Sequence, residues 1–351
     1  MIPIKSCFRI LAYIFGCWLV AGCATTSDGE LQLPDLASPD VEKPEGAGDI
    51  SRSASGGPST QNTEKSDDVC ECEGGEESDS AGILTDRMRR EREDAFNPYV
   101  LTVHKHNYVL PVTYSSSINE DVYQENDIPI KDGLQQAEVK FQISLKSQLN
   151  EKDLLLKNDA LFLGITLEAW WQLYSSDYSS PFRETNYQPE LFYIKPMLWG
   201  PFGGSTAVVL GLEHQSNGKV QGLSRSWNRL YTALVYEQGN LVTYIKPWYR
   251  LPEKKKKNPD DPEGDDNPDI LDFMGHGELA AIWRNGRMEH AVKLRGNTAT
   301  GKGAIEISAT FPLFGKFRGF VQYFNGYGDA LVDYDHFQQR LGFGIALSPL
   351  F

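Results

Sequence analysis

Strand-length segments in which apolar and polar residues alternate follow one another from about residue 107 to the C-terminus. In the segment Val139–Leu145 every second residue is apolar, and Leu341, Phe343 and Ile345 repeat the pattern near the end of the chain. Residues two apart in a β-strand face the same side of a sheet, so the alternation predicts strands with one apolar face. The predicted strands lie near residues 107–115, 136–148, 159–175, 186–198, 206–216, 226–237, 241–250, 273–284, 287–296, 302–312, 316–325 and 338–348.

Short and long connections mostly alternate between these segments. Tight turns are predicted at residues 238–240, 285–286 and 313–315, and longer polar loops at residues 116–135, 176–185, 217–225, 251–272 and 326–337. An even number of antiparallel strands with apolar outer faces and a terminal Phe351 is typical of a bacterial outer-membrane β-barrel. A soluble β-sandwich also has many short strands, but it explains neither the apolar stripes nor Phe351. We therefore predict an all-β fold, a twelve-stranded antiparallel transmembrane barrel.

The first residues have the pattern of a bacterial lipoprotein signal. Lys5 and Arg9 precede a short apolar segment, and Leu19–Cys23 has the form of a lipobox. The apolar segment is too short to span a bilayer as a helix. This pattern predicts a signal peptide at residues 1–22 and lipidation of Cys23, with Ala24 favouring export to the outer membrane. The alternative is an apolar N-terminus that ends in a cysteine by chance.

A polar segment follows the predicted lipidation site. Residues 24–95 contain no Phe, Tyr or Trp, so they cannot bury enough apolar surface to offset the entropy of ordering the chain. We predict a disordered tether at residues 23–95 that precedes the folded domain, residues 96–351. Cys70 and Cys72 within it are either free thiols or a disulfide or soft-metal site. The net charge of −14 argues against a nucleic-acid partner.

A polar trio interrupts two apolar strand faces. His214 and Ser216 share the parity of Leu212 on one predicted strand, and Asn228 shares the parity of Leu230 on the next. A serine needs a base to accept its proton before it can attack an ester, and an amide can orient an imidazole. The trio therefore predicts a hydrolase with Ser216 as nucleophile, His214 as base and Asn228 as orienting residue, acting on the membrane itself.

Longer motifs resemble those of the outer membrane phospholipase A family, and the resemblance covers about residues 95–351. The matching segments are Trp170–Leu173, Ser179–Tyr187, His214–Gly218, Ser224–Tyr231, Lys246–Tyr249 and Asp266–Asp269. The resemblance implies a barrel that hydrolyses the sn-1 and sn-2 acyl esters of phospholipids and lysophospholipids, with the three catalytic roles assigned above. It also implies an outer-membrane location with the active site at the extracellular rim.

The same resemblance implies a calcium-dependent enzyme that is active as a homodimer. Its calcium ligands would be a Ser179 carbonyl from one subunit, with the Lys219 carbonyl and the Ser224 hydroxyl of the other. Asp266 matches a further calcium ligand that the family associates with the monomer. Hydroxyl and carbonyl oxygens are the hard ligands that Ca²⁺ prefers.

Three features depart from the family pattern. The lipobox and tether are additions, and loop 251–272 is enlarged by Lys254–Lys257, as a solvated surface or as a site for lipid phosphates. Leu167 stands where some members carry a glutamine that hydrogen-bonds across the dimer, which predicts weaker dimerisation.

The alternative function is a catalytically inactive barrel with a pore or structural role. Inward-facing Trp227, Arg229 and Tyr231 predict a filled interior instead.

Overall fold

The structure is a computed structural model that describes residues 82–97, 100, 102–124, 133–175, 181–197, 199–219, 221–258, 261, 263–315 and 317–347. The predicted signal, Cys23, most of the predicted tether with Cys70 and Cys72, Ser179 and Phe351 lie outside the described residues. The described part contains thirteen strands and three α-helices. The strands are β1 Thr102–Val103, β2 Tyr108–Ser115, β3 Ala137–Gln148, β4 Ala160–Trp171, β5 Phe182–Met197, β6 Ser205–Ser216, β7 Ser226–Gln238, β8 Leu241–Arg250, β9 Gly277–Asn285, β10 Met288–Asn297, β11 Lys302–Pro312, β12 Arg318–Tyr327 and β13 Phe337–Ala346. The helices are α1 Ile83–Glu93, α2 Asp121–Gln124 and α3 Ile270–Met274.

Strands β2 to β13 form a closed antiparallel barrel. Each pairs with its neighbours in the chain, and β2 also pairs with β13, which closes the sheet. The short β1 pairs with β3 through Thr102 and Lys146, beyond the point where β2 begins to pair with the same strand. The predicted twelve-stranded barrel is confirmed. No described helix is long and apolar enough to cross a membrane.

Three strand boundaries differ from the prediction by four residues each. The strand predicted to begin at residue 186 begins at Phe182, and the preceding strand ends at Trp171, so the predicted loop 176–185 is displaced to residues 172–181. The polar pair Arg183 and Glu184 favoured a loop in the sequence, but both side chains are buried inside the barrel. The strand predicted to begin at residue 273 begins at Gly277 because α3 precedes it.

The two faces of the barrel have opposite character. The outward face is apolar and exposed, as at Leu163, Ile165, Leu210, Leu230, Leu234, Leu341 and Phe343. The inward face carries buried polar and charged side chains, among them Glu138, Lys140, Glu190, Glu213, Arg229 and Arg340. The hydrocarbon core of a bilayer solvates the first set and excludes the second, so the structure matches a membrane-spanning barrel.

The connections lie at two ends, here called the turn end and the loop end. The turn end carries the connections at residues 239–240, 286–287 and 313–317, and the loop end carries those at residues 116–136, 172–181, 217–225, 251–276 and 328–336. At the turn end Gly239 and Gly286 have φ values of +56° and +57°, the left-handed conformation that glycine adopts without steric cost.

A network of buried charges fills the barrel toward its loop end. Asp329, from the loop that follows β12, accepts hydrogen bonds from Lys140 at 3.0 Å and Arg340 at 2.6 Å. Arg340 and Arg183 both pair with Glu138, at 2.8 Å and 2.6 Å. Burial alone would raise the pKa of the Asp329 carboxyl, but the two neighbouring cations hold it well below its ordinary range. The network connects loop 328–336 to three strands of the barrel, β3, β5 and β13.

Helix α1 is a correction to the predicted tether. Residues 83–93 were expected to be disordered, yet they form a helix whose N-terminus contacts Glu237 at the turn end. The Thr85 amide donates to the Glu237 carboxylate at 3.1 Å, and Glu91 pairs with Lys146 at 2.7 Å. A carboxylate at a helix N-terminus satisfies free amides and complements the helix dipole. Because these partners lie far away in sequence, local composition could not predict the helix.

Replacing Asp329 with Asn should destabilise the barrel by about 3 kcal/mol, since removing one partner of a buried ion pair leaves the others uncompensated. The measurement is the free energy of unfolding by urea in detergent micelles. The matched control is Asp335→Asn, which removes an exposed carboxylate from the same loop. Equal stabilities of the two variants would contradict a structural role for the network.

Candidate active site

The hairpin of β6 and β7 carries the three candidate catalytic residues. His214 lies opposite Asn228 in the antiparallel register, and Ser216 lies opposite Ser226. His214 and Ser216 share the parity of the exposed Leu210, so their side chains lie on the outward face of the barrel. The sequence placed the trio on apolar faces, and the structure puts it on the lipid side of the wall, at the loop end.

A hydrogen bond joins the histidine to the asparagine. His214 Nδ1 lies 2.9 Å from Asn228 Oδ1, and Asn228 Nδ2 donates to Glu253 Oε1 at 3.3 Å. A carboxylate oxygen accepts, so it selects the amide orientation in which Nδ2 faces Glu253 and Oδ1 faces the ring. The amide oxygen can only accept, and His214 Nδ1 therefore carries the proton. This tautomer leaves Nε2 as the ring nitrogen that can accept a proton.

Glu253 reaches this pair because the pairing of β7 with β8 continues past the end of β8. The amide of Leu251 donates to the carbonyl of Asn228 at 2.8 Å, and Glu253 lies two residues further along with the same parity. Partial burial, reinforced by the charge of Asp265, raises the pKa of the Glu253 carboxyl above its ordinary value. Sequence reasoning missed Glu253 because it lies in a loop interpreted as surface. Glu253 lies four residues after Tyr249, so the alternation of β8 continued past its end would have placed both on the same face.

Ser216 and Leu167 lie in one row across the outer wall. Leu167 pairs with Tyr187, and Tyr187 pairs with Ser216 on the next strand. Leu167 is partly buried and shares the parity of the exposed Ile165. The position predicted to affect dimerisation is therefore outward-facing and two strands away from the candidate nucleophile.

Asn217 organises the loop that follows Ser216. Its buried side chain donates to the carbonyl of Leu223 at 2.8 Å, and its Oδ1 accepts from the amides of Arg225 at 3.0 Å and Lys219 at 3.3 Å. One side chain thus bonds to both halves of loop 217–225. In the sequence Asn217 was only a turn signal beside Gly218, whose φ of +62° does make a turn here.

Ser224 and Asp266, two of the predicted calcium ligands, are in contact. The Ser224 hydroxyl donates to Asp266 Oδ2 at 2.6 Å, and Lys256 Nζ lies 2.5 Å from Asp266 Oδ1. A hydroxyl and a carboxylate are hard oxygen donors, and the ammonium shows that a cation is stabilised beside this carboxylate. The residues therefore fit a calcium ion.

The other predicted ligands are less closely defined. Lys219 is partly buried and lies in the same loop as Ser224, whereas Ser179 lies outside the described residues. Among the described residues, no cluster of three or more His, Cys, Asp and Glu side chains could hold a metal ion.

The comparison with known proteins decides the family. Residues 84–347 match the family described as Phospholipase A1. The chain belongs to the phospholipase A1 family. The match begins within α1, which agrees with an ordered segment that starts before residue 96.

Individual members of the phospholipase A1 family support the assignment. Phospholipase A1 of Escherichia coli K12 is 37% identical over 272 residues, which cover 77% of this chain and 88% of that protein. A putative phospholipase A1 of Neisseria meningitidis is 39% identical over 262 residues, covering 72% and 66%. The chain is thus an enzyme of the phospholipase A type, and the alternative of an inactive barrel finds no support in these relatives.

Solved structures of the family share the fold of this chain. Outer membrane phospholipase A from E. coli has a TM-score of 0.66 and 35% identity, covering 75% of this chain and 98% of that one. The calcium-bound dimer of the Salmonella typhi outer membrane phospholipase has the same score, identity and coverage. This chain is an outer-membrane β-barrel of the same architecture.

Proposed function

We propose that this phospholipase A1 family member is a calcium-dependent enzyme that hydrolyses the sn-1 and sn-2 acyl esters of membrane phospholipids and lysophospholipids. Ser216 is the nucleophile, His214 the general base and Asn228 the orienting residue. The observation that carries the proposal is the His214–Asn228 hydrogen bond of 2.9 Å on the outward face of the barrel. An enzyme whose substrate is the bilayer needs its reactive groups on this face.

The reaction follows from the tautomer of the histidine. Ser216 Oγ attacks the ester carbonyl while His214 Nε2 takes its proton, and Asn228 stabilises the resulting imidazolium through Nδ1–H. Collapse of the tetrahedral species expels the lysophospholipid alkoxide, which receives that proton from His214. Water, deprotonated by the same nitrogen, then attacks the acyl-serine. Collapse of this second tetrahedral species returns the proton from His214 to Ser216 Oγ, which regenerates the serine. The products are a fatty acid and the lysophospholipid released earlier.

The identity of the third residue suits its position. An aspartate would stabilise the imidazolium more strongly, but it would bring a full negative charge to a wall that faces lipid. The neutral amide of Asn228 avoids that cost, and its hydrogen bond still fixes the ring orientation.

In the dimer, calcium would be held beside the trio by the Ser224 hydroxyl and the Lys219 carbonyl of one subunit and the Ser179 carbonyl of the other. Asp266 would be a further calcium ligand associated with the monomer. Ser224 is two residues from Ser226, the cross-strand partner of Ser216, so this site lies near the nucleophile. A calcium ion bound there supplies positive charge that favours the oxyanion of the tetrahedral species. The fit of the residues rests on the Ser224–Asp266 contact of 2.6 Å.

We also propose a homodimer in the outer membrane, with the active site at the extracellular rim and Cys23 lipidated. The calcium-bound dimer of the S. typhi relative supports the dimer and the metal. The outward position of Leu167 in the row of Ser216 is compatible with an interface there. A leucine gains little from a partner in lipid, where a polar pair contributes on the order of 1 kcal/mol, so the dimer should be weak.

Replacing Ser216 with Ala should lower phospholipid hydrolysis by about 10³-fold or more, because the nucleophile is lost. The assay is release of fatty acid from a detergent-dispersed phospholipid with calcium present. Ser226→Ala, which alters the cross-strand neighbour, serves as the matched control and should retain most activity. A folded Ser216→Ala barrel with near wild-type turnover would refute the assignment.

Replacing Ser224 with Ala should raise the calcium concentration for half-maximal activity by about tenfold, since it removes a hydroxyl ligand. Lys219→Arg should leave that concentration unchanged because only the backbone carbonyl of Lys219 is proposed to bind. Excess chelator should abolish hydrolysis by wild type. Full activity in chelator, or equal calcium curves for the two variants, would contradict the proposed site.

A further inference from the structure

We propose that Glu253 is a positioning residue for the reaction, holding Asn228 and through it His214 in the productive orientation. This inference rests on the proposed catalytic roles. Asn228 links the two residues, since its Nδ2 donates to Glu253 at 3.3 Å while its Oδ1 lies 2.9 Å from His214 Nδ1. Glu253 itself does not touch the ester.

The Glu253 carboxylate selects one of the two orientations of the Asn228 amide. Both ends of an amide have similar shape, and a half-turn about the last side-chain bond would place an N–H group against the His214 Nδ1–H. Two donors would then face each other and the wrong tautomer would be favoured. With Glu253 behind it, the amide loses a hydrogen bond to a carboxylate when it turns. Hydrogen bonds to charged groups are among the stronger ones in proteins, so one orientation dominates.

Glu253 also places negative charge where the barrel wall does not have to bury it. An aspartate in the position of Asn228 would lie on the outward face, whereas Glu253 lies in the loop beyond β8. Its charge polarises the Asn228 amide and so favours the protonated ring that forms when Ser216 attacks. In this arrangement the Asn228 amide on the barrel wall orients the imidazole. The Glu253 carboxylate in the loop supplies the negative charge that a triad carboxylate would supply.

The backbone on either side of Glu253 is held. The Leu251 amide donates to the Asn228 carbonyl at 2.8 Å, and the Asp265 amide donates to the Lys254 carbonyl at 2.7 Å. The backbones of Lys255 and Asp265 form an isolated parallel β-bridge. The segment that carries Glu253 is therefore attached to β7 before it and to the returning loop after it.

The test combines two substitutions with a double-mutant cycle. Glu253→Ala should lower kcat about tenfold with little change in KM, while Glu253→Gln, which keeps an acceptor, should lower it roughly threefold. In an Asn228→Ala background, Glu253→Ala should have no further effect, because the two residues act in series. The control Glu263→Gln removes an exposed acid from the same loop and should leave kcat unchanged.

The outcomes separate this inference from the catalytic assignment. If wild type hydrolyses phospholipid, Ser216→Ala does not, and Glu253→Ala matches wild type, the positioning role is wrong. A Glu253→Ala loss that persists in full in the Asn228→Ala background would also overturn it, since that loss would come from loop structure. Loss of dependence on Ser216 would instead refute the proposed function.

A different contact supports a second proposal, which rests on the proposed calcium site. We infer that Lys256 is an internal cation that occupies the Asp266 carboxylate until calcium displaces it. Lys256 Nζ lies 2.5 Å from one carboxylate oxygen, and the Ser224 hydroxyl lies 2.6 Å from the other. Both oxygens are engaged, so a metal ion at Asp266 competes with the ammonium.

The loop is built to hold Lys256 there. Gly264 has a φ of +122°, and a Cβ on it would lie 2.9 Å from the Lys254 carbonyl oxygen and the Lys256 amide nitrogen. Only glycine permits this approach of the two loop segments. The approach brings Lys256 beside Asp266, while the adjacent Lys257 is exposed. The lysine-rich insertion therefore acts on the metal site instead of forming only a solvated surface.

The test is isothermal titration of calcium into the purified full-length protein in detergent, without substrate. Lys256→Gln should bind calcium about five- to tenfold more tightly than wild type, because a partly buried ion pair no longer competes. Lys257→Gln makes the same change of net charge and should match wild type. Equal affinities for both variants would overturn the role of Lys256. Absence of calcium binding in all three proteins would refute the calcium site itself.

Discussion

The closed ring of backbone hydrogen bonds is the constraint on which the rest of this molecule depends. In lipid no water is available for unpaired amides and carbonyls, so a sheet can span only if β2 and β13 meet. Closure divides every strand into an outward and an inward face with a period of two residues. Apolar side chains such as Leu210 and Leu230 must then face lipid, and polar groups must find partners inside. The placement of the candidate active site follows from this division.

Inside the barrel, paired buried charges lie alongside buried apolar clusters. Lys140, Arg183 and Arg340 meet Glu138, Asp329 and Asp333 in one connected network. Each charge is costly to bury alone, but each has a partner of opposite sign within hydrogen-bond distance. The network has a structural consequence as well, because two of its carboxylates belong to loop 328–336. A loop that is polar in sequence thus becomes part of the barrel interior.

At the candidate active site the outer wall of the barrel carries polar residues in place of apolar ones. His214 and Asn228 are polar residues on the lipid side, and their hydrogen bond satisfies both. Loop 251–276 supplies the charged groups around them, with Glu253 behind Asn228 and Lys256 on Asp266. The wall therefore carries neutral reactive groups, and the adjoining loop carries the charges. Phospholipid at the boundary between hydrocarbon and headgroup would contact both.

The sequence by itself determined the twelve strands, their outward faces and the family, because alternation is a local property and the motifs are contiguous. It also brought His214, Ser216 and Asn228 to one face through parity alone. Only the tertiary structure decided that residues 83–93 are helical, that β5 begins at Phe182, and that Glu253 and Lys256 contact predicted site residues. Helix α1 depends on Glu237, about 150 residues away, and the early start of β5 depends on Glu138 inside the barrel. Contacts between residues so distant in the chain leave no periodic signal.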